Sequence, residues 1–142
     1  VKTSGEQLLR VYAEASGGNP EAYAWLLAFH FWAHQIDDFV DEQGHYAPEV
    51  VDLCTQGIVL CSSGFYRRHA ECLGPVLATV AEKYHASLTA TGTLAHVLRL
   101  AGNDVVLMVA YLTGGRALQR KVSEALWPIV HNTQLVNTTN ES

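Results

Sequence analysis

The sequence predicts an all-α protein, a five- or six-helix antiparallel bundle. Three observations carry this. Every long apolar segment repeats with helical rather than alternating periodicity, so no stretch reads as a half-buried strand. Gly, Pro and Asn fall at the ends of those segments, where they stop and start helices. The connections are short, which lays successive helices side by side. With 142 residues, 49% of them apolar, the chain is one domain with enough hydrophobic side chains for a core.

The elements follow in order. Residues 6–15 predict a first helix, ended by Ser16-Gly17-Gly18. Asn19-Pro20 opens a second: Asn caps the free amides, and Pro fits a first turn that needs no amide hydrogen. It runs to Gln43, with Gly44 as its stop. Pro48 opens a third helix, to Ser62, before the break Ser63-Gly64. Residues 65–86 are helical, with an interruption at Gly74-Pro75. Residues 87–93, rich in Thr, form a loop. Residues 94–112 predict a long helix stopped by Gly114-Gly115, and 118–130 a last one with a kink or stop at Pro128. The domain is thus 1–131, and 132–142 is a polar, frayed tail. No repeat of roughly 20–50 residues is seen.

Composition excludes some functions. A net charge of −5 with nine Lys and Arg argues against a nucleic-acid surface. The sequence as given opens with no charged segment followed by an apolar one, so no signal peptide is expected. The apolar stretches 22–29 and 105–112 are too short for a membrane span. Three cysteines make a poor disulfide framework. Cys54 and Cys61 sit on one predicted helix, roughly 10 Å apart along its axis, too far to bridge. They read as buried, reduced thiols of a cytoplasmic protein. The sequons at Asn137 and Asn140 read as chance in a polar tail.

The densest chemistry lies in Ile36-Asp37-Asp38-Phe39-Val40-Asp41-Glu42, four of the chain's fourteen acids within six residues. Clustered carboxylates repel one another, and a divalent cation offsets that repulsion. On a helical wheel His30, His34, Asp37 and Asp41 fall within about 60°, with Asp38 at the edge of the stripe and Glu42 further round. Carboxylates one turn apart suit Mg²⁺, which keeps waters and takes substrate phosphates. His30 and His34 would instead suit Zn²⁺ or Fe²⁺. The bland alternative is a solvated helix end with hydrogen-bonded histidines.

Other candidates are fewer. Gly102-Asn103-Asp104 is poor helix chemistry inside an apolar helix, and reads as a second ligand set or as a polar network with Arg99. Arg67 and Arg68, beside His69, can clamp a diphosphate, with Arg99 as a further cation. Glu82 and His85 have the Glu-x-x-His spacing of di-iron bundles, in a single copy.

Asp37, Asp38 and Asp41, after the apolar run with Tyr23-Ala24-Trp25, resemble the first Asp-rich motif of class I isoprenoid synthases, nearest the squalene and phytoene synthase branch. The resemblance covers about twenty residues. It implies a helix facing a bundle cavity, with Mg²⁺ holding a prenyl diphosphate. Asn103-Asp104 is similar to the family's second metal motif, but departs from one variant of it at Leu107 and Tyr111. Gly102-Asn103-Asp104-Val105-Val106-Leu107 is also similar to the late acidic helix of all-α nucleoside triphosphate pyrophosphatases, which work as oligomers with Mg²⁺.

Both resemblances imply one function. A Mg²⁺-dependent protein acts on a small diphosphate-containing molecule, with Asp37, Asp38, Asp41, Asp104 and Asn103 as ligands. A chain this short would complete such a site as a homodimer. Two alternatives stay open: a non-enzymatic helical assembly module whose acids form salt bridges, and a metal-binding bundle using His30, His34, Glu82 and His85.

Overall fold

The structure, a computed structural model, describes residues 2–41 and 47–141, with side-chain surroundings for 5–41 and 48–131. The fold is all-α, with no strand among the described residues. Its helices are α1 (Lys2–Ala15), α2 (Pro20–Asp41), α3 (Ala47–Leu60), the single-turn α4 (Gly64–Arg68), α5 (Ala70–Ser87), α6 (Gly92–Arg99) and α7 (Asn103–Glu141). Six have eight residues or more, as the periodicity predicts.

The cap at Asn19 works as read, and Ser63, read as a break, caps the helix that follows it. The Asn19 side-chain oxygen accepts from the amides of Glu21 and Ala22 at 2.9 and 3.2 Å. The Ser63 hydroxyl accepts from the Tyr66 amide at 3.2 Å. Gly44, the expected stop of α2, and Glu42 lie outside the described residues.

Side chains fix the topology. The indole of Trp25 donates to the Leu60 carbonyl at 3.0 Å, and that of Trp32 to the Leu53 carbonyl at 3.1 Å. Seven residues forward on α2 match seven backward on α3, so the two helices form an antiparallel hairpin. Gly57 lets them approach: a Cβ there would stand 3.2 Å from the Trp32 ring.

The last helix is also a hairpin. Gly115 has φ 77° and ψ −167°, outside any helix and open only to glycine at low cost. The Gln119 amide donates to the Leu107 carbonyl at 3.1 Å, although a straight helix would separate these residues by roughly 18 Å. The chain therefore reverses at Gly115, the stop that Gly114-Gly115 predicts. The run 92–131 contains an 18-residue window apolar enough to cross a bilayer, but a 3₁₀ turn at Leu100–Gly102 and this reversal interrupt the run.

The core lies where α1, α2 and α5 meet α7. Val11, Tyr12, Ala15, Trp25, Leu26, Phe29, Leu73, Val105, Val106, Val109, Ala110, Val122 and Leu126 are all buried in it. Thr113 donates to the Ala15 carbonyl at 2.7 Å. Gly17, at φ 56°, passes so close that a Cβ would meet the Thr113 Cβ at 2.9 Å.

Three boundaries differ from expectation. The break in 65–86 falls at His69 (φ −123°, ψ 20°), not at Gly74-Pro75. Pro75 lies inside α5 and leaves without a helical partner only the carbonyl of exposed Glu71, which water can bond, while the bend at His69 lets both Phe65 and Leu73 reach the core. The expected helix 94–112 is broken by the turn Leu100–Gly102, beside the run that is poor helix chemistry. Finally, α7 passes Pro128 and its backbone stays helical to Glu141. The carbonyl that Pro128 leaves without a helical partner belongs to exposed Glu124, where water can bond it.

Candidate functional site

The acidic end of α2 is carried by the core that holds its first half. Trp25, Leu26 and Phe29 are buried, whereas Asp38 and Asp41 are exposed and Asp37 is half-buried. The helix runs out of the protein as its sequence turns acidic.

Each acid meets a different neighbour. The Tyr84 hydroxyl of α5 donates to the Asp37 carboxylate at 2.8 Å. Burial, then that hydrogen bond and the Asp37 charge, hold the Tyr84 phenol well above its ordinary range. Arg99 acts on the same phenol in the opposite direction, and Asp41 reinforces the rise. Asp37, Asp41, Tyr84 and Arg99 therefore form one polar neighbourhood. Asp38 lines a separate open groove between α2 and α3, with Gln35, Phe39, Glu49, Asp52 and Leu53.

The second motif faces elsewhere. Asp104 pairs with Lys83 at 3.1 Å and lines a groove with Pro75, Val76, Thr79, Leu107, Met108 and Gln119. Asn103 donates its side-chain amide to the Leu100 carbonyl at 2.9 Å, closing the 3₁₀ turn. Asp38 and Asp104 thus line different grooves. Among the described residues, no group of three or more His, Cys, Asp or Glu side chains gathers as metal ligands do.

The cations are dispersed too. Arg68 is in an ion pair with Glu21, and Arg67 is exposed with no ion pair among the described residues. Arg99 is the cation that reaches the acidic end of α2, through its effect on Tyr84. Glu82 and His85 are exposed on α5.

The histidines of α2 have a different setting. His30 Nδ1 lies 3.0 Å from the Tyr12 hydroxyl of α1. The His30 and His34 rings are 4.4 Å apart, centre to centre. Burial first, and then the charge of His34, hold the His30 imidazole below its ordinary value. Burial alone pushes the Tyr12 phenol up to about 12.

Sequence reasoning missed Tyr12, Lys83 and Tyr84, whose roles arise from helices packing together and carry no local motif. It also missed the outer face of α3, for which a signal existed. Leu53, Gly57 and Leu60 point inward at spacings of four and three. Val50, Cys54, Ile58 and Cys61 form a second stripe at spacings of four, four and three, flanked by Val51. Val51 and Ile58 are 61% and 66% exposed, and Cys54 and Cys61 are exposed rather than buried as expected. No charged residue lies within this stripe.

Comparison of the chain with protein-family models, curated proteins and solved structures found no match.

Proposed function

We propose that this protein is a helical assembly module, working by association through the outer face of α3 rather than by chemistry at the acidic end of α2. One observation carries the reading: α3 presents a charge-free stripe of Val50, Val51, Cys54, Ile58 and Cys61 to solvent, beside the face of Leu53, Gly57 and Leu60 that packs on α2. A second copy is the occupant that fits. The stripe is nearly symmetric about residues 55–56, so an antiparallel copy sets Val50 beside Cys61 and Cys54 beside Ile58. The stripe itself carries no charge, and the two acids of α3, Glu49 and Asp52, line the groove toward α2. One acid of each motif has a partner inside the chain, Asp37 with Tyr84 and Asp104 with Lys83.

Light scattering on eluting protein tests this. The wild type should weigh about twice the 15.5 kDa of one chain, and Ile58→Glu should return it to one. A wild type that stays at one chain's mass at high concentration would sink the reading.

The Mg²⁺–diphosphate reading rests on a separate observation: Asp38, Glu49 and Asp52 line one groove, and none has an ion pair among the described residues. Under that reading Asp38, Glu49 and Asp52 would share the cation, and the diphosphate would reach it from the open side of the groove. The acids do not gather closely enough to hold a cation without waters or the diphosphate itself as ligands. Calorimetric titration of Mg²⁺ with inorganic diphosphate decides it. Heat present in the wild type and lost in Asp38→Asn supports the reading, and no heat in the wild type ends it.

A further inference from the structure

We propose that His30 and His34 form a two-imidazole site for one divalent transition-metal ion of the Zn²⁺, Ni²⁺ or Cu²⁺ class. The site is independent of α3 and of the Asp-rich motif. Its other ligands would be water.

Four features of the geometry support it. The two residues are one helical turn apart on α2, so the backbone holds both imidazoles on one face before any metal arrives. Their ring centres stand 4.4 Å apart with planes at 67°. Two imidazoles sharing an ion at about 2.1 Å from each nitrogen have ring centres roughly 5 Å apart, so a small rotation of the exposed His34 ring completes the chelate. Next, His30 Nδ1 is engaged by Tyr12 at 3.0 Å, leaving Nε2 as the nitrogen free to bind. A ligating histidine characteristically hydrogen-bonds through its other nitrogen, which fixes both tautomer and ring direction. With metal on Nε2, the Nδ1 proton is donated to the Tyr12 oxygen. Finally, no Lys or Arg forms an ion pair or hydrogen bond with either ring among the described residues.

The arrangement narrows the histidine option read from the sequence. His30 and His34 act as the pair, while Glu82 and His85, exposed on α5, are not gathered with them. An open two-ligand site binds modestly. It suits a metal taken up reversibly at the surface rather than one locked into the fold.

The test is a Zn²⁺ titration followed by the imidazole nitrogen resonances of the folded chain, with calorimetry for affinity. The expected result is that His30 and His34 signals move together at one ion per chain. His34→Ala should weaken binding at least about ten-fold, and Tyr12→Phe about ten- to a hundred-fold with the fold retained. His34 is exposed, so its replacement does not threaten folding. Three outcomes overturn the proposal: no shift of these two residues, shifts confined to other histidines, or binding that vanishes when Cys54, Cys61 and Cys72 are alkylated. Equal affinity in wild type and His34→Ala overturns it as well.

Discussion

The first arm of α7 and the helix α3 are both rich in Val and Leu, yet they end up in opposite settings. In α7, Val105, Val106, Val109 and Ala110 are buried, with α1 on one side and α5 on another. In α3, only Leu60 is buried; Val51, Ile58 and Val59 are each more than 60% exposed. Apolar content makes a helix want a partner, but burial depends on how many neighbours the chain path supplies. The α7 arm is central and surrounded. The α3 helix hangs on α2 by two indole hydrogen bonds and the close approach at Gly57.

The largest test of that contrast is a matched pair of truncations. Leu126→Ala should destabilise the fold by about 2–5 kcal/mol, since Leu126 is fully buried and a cavity remains. Ile58→Ala should leave the stability of the isolated chain within about 0.5 kcal/mol. Urea unfolding compares the two at concentrations low enough to keep chains apart. Similar losses in both would mean that α3 is packed as firmly as the core.

Next in size is the alkaline response of the α1 side. Tyr12 ionises near 12 when folded and near 10 when unfolded. The unfolded chain therefore releases its proton first, so stability is full below pH 10 and falls as pH rises toward 12, by roughly 2–3 kcal/mol. Tyr12→Phe should reduce that slope in stability measured against pH, leaving the share of Tyr84, whose phenol is also held up. His30 acts at the other end. Its folded proton affinity is depressed, so its contribution is full above about 6.5 and is lost as pH falls below that value.

A smaller effect probes the α2–α3 hinge. Trp32→Phe removes the donor to Leu53 and should cost about 1 kcal/mol. Amide exchange should quicken along α3 while the α1–α7 seam stays protected. Uniform quickening would make the hairpin part of the same cooperative unit as the core.

The smallest belongs to the Lys83–Asp104 pair, whose side chains are 43% and 36% exposed. Asp104→Asn should change stability by less than about 1 kcal/mol, with the difference shrinking in high salt. A larger loss would show that Asp104 holds α5 and α7 together more tightly than its exposure suggests.

Much of this protein was legible before its structure. Helical class, the cap at Asn19, the opening at Pro20 and the stop at Gly114-Gly115 follow from local rules: which residues accept a free amide, lack a hydrogen, or tolerate positive φ. The break at His69 was not legible, because it serves the joint burial of Phe65 and Leu73 rather than any preference of His69. The acids show the same division. Their stripe on α2 is a matter of spacing, and the sequence determined it alone. Whether Asp37 meets a metal or the Tyr84 hydroxyl, whether Asp104 faces Asp38 or Lys83, and which of the two apolar faces of α3 is covered depend on residues tens of positions away. Those choices the tertiary structure decided, because a side chain's partner is set by how helices pack and not by its neighbours in the chain.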